Sequence, residues 1–262
     1  MMFPTLATSD WRMTLAFLLL LAVLVLALKL VGAARKPPPA GARGFFWICP
    51  LPAVDSVARV TRVGKGAFLP MMARVSLAVV GFLAAHWLLW RAGRMLGWNG
   101  VALSYLAAPL VWLGTGSFAS LAQLIYLPTG RLLPVAHNNV LAARGVADFW
   151  GRRWDVWMSD WFRQVIFRPM RRRPALAVAV VFLVSGVVHE FVINLGLWLV
   201  TGRNLFGSMM AYFGLQAVGL FAERAWLVEH PRFKRVWTWI VVVGPAPLFV
   251  NEGFLRTLQF WP

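Results

Sequence analysis

Long runs of apolar residues are the feature that most restricts how this chain can fold. The clearest run, Ala175–Val200, is almost uncharged over roughly 25 residues, which is enough to cross a hydrocarbon core of about 30 Å. Hydrophobic residues make up 60% of the 262 residues, whereas charged residues make up 13%. A soluble fold could not bury so much apolar surface, so the composition indicates a polytopic membrane protein.

Six apolar runs predict about six transmembrane helices in an all-α fold. Arg12 is the only basic residue before the first run, so that run does not read as a signal peptide and is expected to stay as a span. Small residues at Gly114–Ser117 in the third run favour either close helix packing or a local break. We expect one membrane-embedded domain over residues 1–262. The six runs are Met13–Val31, Val75–Trp90, Val101–Leu127, Ala175–Val200, Leu205–Leu227 and Val236–Val250, and we expect Gly244-Pro245 and Pro247 to bend or end the last one.

The basic residues gather in two large loops between these runs. Seven Lys or Arg lie in Arg35–Arg74 and nine Arg lie in Pro128–Pro174, while the connections at Arg91–Gly100 and Thr201–Asn204 are short. The positive-inside rule therefore predicts a multi-pass protein with both large loops in the cytoplasm. The net charge of +17 indicates this topology and an affinity for membrane lipids or an anionic cofactor, not a nucleic-acid partner.

The spacing of residues between Val146 and Ile166 predicts an amphipathic helix at the membrane interface. Apolar residues and charged or polar residues each recur every three or four positions, on opposite sides of a helix. Rings on such a helix lie at headgroup level. The pattern leaves open whether the helix only anchors or whether Arg152 and Arg153 also hold the phosphates of a cofactor. The two sets are Val146, Trp150, Trp154, Trp157, Trp161 and Val165, and Asp148, Arg152, Asp155, Ser159 and Arg163.

His189 is the candidate catalytic residue within the spans. It lies about 21 Å from Ala175 at 1.5 Å per residue, and a buried neutral imidazole can accept a proton from a hydroxyl. The alternative is a histidine that only joins two helices by hydrogen bonds. Ser185 shares its helix face, and Gly186 would let another helix approach. Glu190 points about 100° away from His189, so we predict a structural role for it.

Other polar residues rank lower. His86 stands alone in a span, while His137 and His230 lie in loops. Glu223, beside Arg224 near the end of a span, is predicted to reach water. Cys49 is the single cysteine, and the CxxC, GxGxxG, Walker and HExxH signatures are missing, so we expect neither a metal site nor a permanently bound cofactor.

Two motifs resemble those of a known family. The sequence DFWGRRW at Asp148–Trp154, followed by SGVVHE at Ser185–Glu190, resembles the wax synthase branch of the membrane-bound O-acyltransferases. The match is specific over Ala142–Phe191, and PAPLF at Pro245–Phe249 is similar to a proline-rich end in that branch. The resemblance implies transfer of a fatty acyl group from acyl-coenzyme A to an alcohol, with His189 as the catalytic residue.

Two features depart from the family pattern. The position after RRW, usually Asn or His, is Asp155 here, and the resemblance makes it the candidate second catalytic residue. The chain is also shorter than most members and has fewer predicted spans. From the resemblance we expect that part of the usual lipid tunnel is either missing or supplied by a second copy of the chain.

The resemblance and the charge pattern together predict how the substrates bind. Acyl-coenzyme A, a co-substrate, binds at the cytoplasmic side, and a lipid alcohol enters from the bilayer and loses its proton to His189. Asn138, Asn139 and Arg153 are candidate donors to the oxyanion. The alternatives are acylation of a sugar or protein, which the short outside connections disfavour, and a non-enzymatic lipid-binding subunit. The residues predicted to bind acyl-coenzyme A are Arg152, Arg153, Trp154 and Asn138.

Overall fold

The computed structural model describes residues 11–96, 100–227 and 230–258, and it confirms an all-α fold. Three short π-helical turns, Phe149–Arg153, Arg163–Phe167 and Glu190–Asn194, adjoin helices, and a two-stranded pair, β1 (Thr61–Arg62) and β2 (Arg131–Leu132), joins the two large loops. The helices are α1 (Trp11–Arg35), α2 (Arg43–Ile48), α3 (Val54–Val57), α4 (Phe68–Leu96), α5 (Gly100–Tyr126), α6 (Val146–Asp148), α7 (Val156–Phe162), α8 (Pro174–His189), α9 (Leu195–Thr201), α10 (Ser208–Trp226), α11 (Pro231–Val243), α12 (Ala246–Phe249) and α13 (Glu252–Thr257).

Within the described residues, four helical segments are long and apolar enough to cross a membrane. They are Trp11–Arg35, Phe68–Arg91, Gly100–Thr129 and Pro174–Thr201. The sequence predicted about six, so two of the predicted spans do not meet this criterion. The prediction that Gly244-Pro245 bends or ends the run Val236–Val250 is confirmed: α12 begins at Ala246, and α11 ends at Val243 after 13 residues. At 1.5 Å per residue it is about 20 Å long, shorter than the hydrocarbon core.

The last two predicted runs nevertheless lie inside the helix bundle. Helix α10 starts beside the end of α8 and ends beside α6, where Glu223 accepts the Val146 N–H at 2.5 Å. The chain then returns along α10, since the Val242 carbonyl accepts the Tyr212 hydroxyl at 2.9 Å. The Val250 carbonyl finally accepts the Ser104 hydroxyl at 2.6 Å, beside the start of α5. Within the described residues, α10 and the return segment from α11 to Val250 therefore pack beside the four long helical segments, although α10 has only 19 residues and α11 only 13.

The two basic loops pack against each other on one face of this bundle. Thr61 pairs with Leu132 across β1 and β2. Ser56 donates to the Asp160 carboxylate at 2.7 Å, and Arg168 pairs with Asp55 at 2.7 Å. Contacts of this kind place both loops on the same side. That this side is the cytoplasm stays a prediction.

Glycines allow two of the helix contacts. A Cβ atom at Gly114 would lie 3.0 Å from the Phe82 ring, and one at Gly186 would lie 2.6 Å from Met210 Sδ. The approach predicted at Gly186 is thus confirmed, with α10 as the partner helix. Helix α5 continues unbroken through Gly114–Ser117, so small residues serve close packing there and not a break.

The prediction of one interfacial amphipathic helix over Val146–Ile166 is wrong. The segment is split between α6, a π turn, an extended Trp154 and then α7. Asp155 causes the split, because its backbone is left-handed (φ 38°) and its side chain caps α7 by accepting the Met158 N–H at 3.2 Å.

Two of the four tryptophans of this segment are buried inside the protein and do not face lipid. Trp157 and Trp161 are 6% and 5% exposed. Their indole N–H groups donate to the carbonyls of Pro134 (3.0 Å) and Leu28 (2.8 Å), which satisfies the polar end of each buried ring. The three-to-four spacing therefore reflects burial against the loops and α1, and not contact with lipid.

Candidate functional site

His189 is the last residue of α8, and a π turn begins directly after it. Its Nδ1 lies 2.7 Å from the Ser185 carbonyl. A carbonyl can only accept, so Nδ1 carries the proton, and Nε2 of the neutral ring keeps its lone pair. Single π turns within helices are frequent at functional sites. The local helix geometry thus fixes both the tautomer and the orientation of the ring.

Two phenylalanines from other helices form the walls around this ring. The His189 ring centre lies 4.7 Å from that of Phe213 on α10 and 5.2 Å from that of Phe249 on α12. The PAPLF motif therefore brings Phe249 to His189. Apolar surroundings favour the neutral imidazole, which is the form that can accept a proton.

Asp155, the other predicted catalytic residue, lies in a different hydrogen-bonded cluster. Its backbone N–H donates to His137 Nδ1 at 3.4 Å, and His137 Nε2 lies 2.8 Å from the Thr115 hydroxyl on α5. Burial raises the pKa of Asp155 to about 6 and lowers the pKa of His137 to about 4. At neutral pH His137 is therefore uncharged, with its proton on Nε2 facing Thr115.

The structure does not bring Asp155 and His189 into contact. No hydrogen bond or ion pair joins them among the contacts of the described residues. A row of aromatic rings runs between their surroundings instead, through Trp154, Trp150 and Phe213, with centre separations of 6.3 Å and 5.9 Å. The two candidate catalytic residues thus lie at the two ends of one aromatic wall.

Arg152 and Arg153 line a cationic cleft on the face that carries the large loops. The cleft has a volume of about 350 Å³, and four cationic side chains line it against two carboxylates. Arg152 is 78% exposed in its side chain and lies 3.3 Å from Asp148, so most of its guanidinium can reach a ligand. The charged residues of the cleft are Arg144, Arg152, Arg153, Lys234, Asp148 and Glu223.

Arg153 is held more firmly than Arg152. Its Nε donates to Asp148 at 2.7 Å and its Nη1 donates to the Asn139 carbonyl at 2.9 Å, and its side chain is 18% exposed. Burial would raise the pKa of Asp148, but the hydrogen bonds from Arg153 and the Arg144 N–H, together with the charges of Arg153 and Arg152, lower it further, so the pKa falls below its usual value. Arg153 therefore shapes the cleft as well as lining it.

The other two predicted ligands of acyl-coenzyme A lie beside Arg153. The Asn138 N–H donates to the Arg153 carbonyl at 2.9 Å, and Trp154 stacks on Phe149 at 5.6 Å. Neither Asn138 nor Trp154 lines the cleft. Their role in binding stays a prediction.

Glu190 and Glu223 both accept backbone N–H groups within the bundle. Glu190 accepts three of them at the start of α10. The prediction that Glu223 reaches water is wrong, since it is 4% exposed and accepts the Val146 N–H. A buried carboxylate at this point is stable because a backbone donor satisfies it.

Sequence reasoning missed His137, Arg144 and Lys234. His137 lies 18 residues before Asp155 and 22 residues after Thr115 in the chain, and no local spacing relates them. Lys234 reaches the cleft from α11, far along the chain from Arg152. Only the fold brings these residues together.

A comparison with protein-family models identifies the segment that carries both clusters. The model described as Membrane bound O-acyl transferase family matches residues 133–213, which include Asp155, His189 and Phe213. The resemblance to this family is therefore confirmed. The matched segment contains the aromatic wall from Trp154 to His189, together with most of the cleft.

Named relatives agree with the family match. Probable long-chain-alcohol O-fatty-acyltransferase 3 of Arabidopsis thaliana is 30% identical over 154 residues, covering 55% of this chain and 43% of the relative. Probable long-chain-alcohol O-fatty-acyltransferase 9 of the same plant is 29% identical over 161 residues, covering 52% of this chain and 46% of the relative. Long-chain-alcohol O-fatty-acyltransferase of Simmondsia chinensis is 33% identical over 90 residues, covering 30% of this chain and 26% of the relative. The chain thus spans less than half the length of these curated relatives.

Proposed function

We propose that this protein transfers a fatty acyl group from acyl-coenzyme A to the hydroxyl of a long-chain alcohol, with His189 as the general base. The observation that carries the proposal is the hydrogen bond from His189 Nδ1 to Ser185, which leaves Nε2 as the proton acceptor. His189 lies in the segment that matches the family model, and the named relatives are long-chain-alcohol O-fatty-acyltransferases.

The reaction requires one proton transfer and one exchange at a carbonyl. Nε2 of His189 takes the proton of the alcohol as its oxygen attacks the thioester carbon. The carbon–sulfur bond then breaks, an ester forms, and the departing thiolate takes a proton to give the free thiol of coenzyme A. General-base assistance of this kind typically contributes about 10²- to 10⁴-fold.

The cationic cleft is the proposed site for the phosphates of coenzyme A. Guanidinium groups bind phosphate oxygens in a bidentate manner, and Arg152 offers the most exposed guanidinium measured there. Arg144 and Lys234 add positive charge to the same cleft. The acyl chain would lie among the apolar helices, which leaves the alcohol to enter from the bilayer.

Asp155 supports the site by fixing the course of the backbone around it. Its carboxylate caps α7 and its N–H holds His137, so it fixes the bend after the DFWGRRW motif. Among the candidate oxyanion donors, Arg153 already donates to Asp148 and to the Asn139 carbonyl.

The test uses purified protein with palmitoyl-coenzyme A and hexadecanol. We expect release of free thiol together with hexadecyl palmitate, detected by mass spectrometry. Palmitoyl-pantetheine, which lacks the nucleotide phosphates, should be a much poorer donor, and Arg152→Glu should impair only the coenzyme A thioester. Transfer to a sugar or a serine peptide in place of hexadecanol would overturn the proposed acceptor, and absence of any thiol release would overturn the proposed activity.

A further inference from the structure

Four polar side chains form a buried cluster directly after His189, which we call the buried polar cluster. Three of them are almost inaccessible: Glu190 is 8% exposed, Asn194 0% and Asn251 8%. Every fully buried side-chain nitrogen and oxygen in the described part of the chain has a hydrogen-bond partner. A fully satisfied buried network favours one arrangement of the elements that it joins. The members are Glu190, Asn194, Ser208 and Asn251.

Glu190 fixes the start of α10 against the π turn. Its Oε1 accepts the backbone N–H groups of Gly207 (2.8 Å), Met209 (2.9 Å) and Met210 (3.1 Å). A carboxylate is stabilised at a helix N-terminus, where these N–H groups lack partners within the helix. Met210 also packs on Gly186, so α10 is fixed to α8 at two adjacent points.

Asn194 and Asn251 extend the cluster to the segment that carries Phe249. Asn194 Nδ2 donates to Glu190 Oε2 at 2.7 Å, and Asn251 Nδ2 donates to Asn194 Oδ1 at 2.9 Å. Both amides also donate to the Ser208 hydroxyl, at 3.0 Å and 2.8 Å. The cluster therefore joins the π turn, α10 and the junction between α12 and α13.

The helices joined in this way are those that hold the His189 ring. Phe213 lies on α10, one turn beyond the amides that Glu190 binds, and Phe249 lies two residues before Asn251. We propose that the buried polar cluster is a positioning device that sets the His189 ring between its two phenylalanine walls. The proposal rests on the function proposed above. None of the four side chains contacts the His189 ring among the described contacts, so they are positioning residues and not catalytic ones.

Position matters because a general base must lie within hydrogen-bond reach of the proton that it takes. A misplacement of about 1 Å can cost about 100-fold in rate, even when it originates away from the reacting atoms. Loosening the cluster should therefore lower kcat and leave the KM for acyl-coenzyme A unchanged, since the cationic cleft lies on the opposite face.

The experiment reverses one hydrogen bond of the cluster. Glu190→Gln places an amide against the amide of Asn194, and Asn194→Asp places two carboxylates together, so each should lower kcat at least about tenfold. The double variant restores a donor–acceptor pair with reversed polarity and keeps one carboxylate in the cluster. We expect it to lose less activity than the product of the two single losses. Gln123→Leu is the matched control, because it removes a buried hydrogen bond to the Leu133 carbonyl away from His189.

A readout without turnover separates this proposal from the proposed function. In the parent protein the enclosed His189 should react slowly with diethyl pyrocarbonate, and in Glu190→Gln it should react at least about threefold faster, while exposed His230 is unchanged. Folded variants with parental kcat and parental His189 reactivity would overturn the proposal. If the parent itself transfers no acyl group, the proposed function fails and the modification rates still decide the positioning role. Ser208→Ala, which removes the shared acceptor, replaces Glu190→Gln should that variant not fold.

Discussion

At the scale of single residues, Asp155 shows how one backbone conformation changes the meaning of a motif. The left-handed backbone at Asp155 ends the DFWGRRW segment and starts α7. Asn is, with Asp, among the residues that adopt this conformation most readily, and both cap helices well. Asp155, and the Asn that the resemblance offers as one of two usual residues here, therefore both fit a role in local geometry.

We predict that Asp155→Asn retains transfer activity within about tenfold of the parent. The Asn side-chain oxygen can still accept the Met158 N–H, and the backbone can keep its bond to His137. Thiol release from acyl-coenzyme A measures the rate, and gel-filtration elution checks the fold. Loss of turnover in a well-folded variant would show that the carboxylate charge is essential.

The same substitution should change how stability depends on pH. Burial raises the folded-state pKa of Asp155 from 3.8 to about 6, so its contribution to stability is fully present below about pH 4 and is lost as the pH rises through 6. The loss is at most about 3 kcal/mol at 1.36 kcal/mol per pKa unit. Melting temperatures of parent and Asp155→Asn in detergent between pH 4 and pH 8 test this. The melting temperature of Asp155→Asn should rise relative to that of the parent as the pH rises.

Asp55→Asn is the control of opposite sign. Burial would raise the pKa of Asp55, but the hydrogen bond and charge of Lys36 and the charge of Arg168 lower it further. A lowered pKa stabilises the fold above the unfolded value of 3.8, and this stability is lost as the pH falls, so the advantage of the parent over Asp55→Asn should shrink as the pH falls below about 4. Melting curves extended to about pH 3 test this. Identical pH curves for the two variants would contradict both assignments.

At the scale of elements, apolar run length predicted α1, α4, α5 and α8 because each is one continuous helix with its own hydrophobic signal. The same reasoning failed for Val146–Ile166, where a spacing of three or four residues persists through two π turns and a left-handed residue. Periodicity reports which side chains are buried together, and it cannot show that the backbone between them is continuous.

The candidate site was predictable only where its parts are local in sequence. Ser185, Gly186 and His189 lie within about one helical turn, and that spacing predicted the shared face of Ser185 and His189 and the close approach at Gly186. It did not predict the hydrogen bond of the His189 ring to the Ser185 carbonyl. Phe213 and Phe249 come from α10 and α12, and no pattern in the chain pairs them with His189. Long-range packing decides such contacts.

Gly186 should be essential for the contact between α8 and α10. Gly186→Ala places a Cβ atom 2.6 Å from Met210 Sδ and 3.1 Å from its Cα. Overpacking of this kind typically costs about 1–3 kcal/mol, against a gain of about 1 kcal/mol in helix propensity. Gly81→Ala, in α4, has no atom within 4 Å of the new Cβ and should be neutral or stabilising. Equal melting temperatures for both variants would contradict this packing account.

At the scale of the whole molecule, contacts between the two basic loops and the positive charge on them set the topology. The loops pair through β1 and β2 and through the carboxylates of Asp55 and Asp160. The connection between α9 and α10 lies at the other end of α8 and α10. One face of the bundle is thus strongly basic, and the positive-inside rule predicts that this face lies in the cytoplasm.

Cysteine labelling tests this arrangement in a Cys49→Ala background. Exposed positions Ala40 and Leu141 lie on the two basic loops, and Phe206 lies on the opposite connection. Cysteines at Ala40 and Leu141 should react with an impermeant maleimide only in inside-out vesicles, and a cysteine at Phe206 only in right-side-out vesicles. Labelling of the two loops from opposite sides would contradict the packing, and labelling of both from outside would reverse the topology.

The central claim is that His189 acts as the general base for acyl transfer, and the most direct measurement compares His189→Ala with His230→Ala. His230 is exposed, so its removal should leave the rate unchanged. Detergent-purified variants would be assayed for thiol release and for the ester of a long-chain alcohol, beside their elution profiles and melting curves. We predict a folded His189→Ala protein with a loss of at least about a hundredfold. A folded His189→Ala protein that still esterifies the alcohol within about tenfold of the parent rate would contradict the claim.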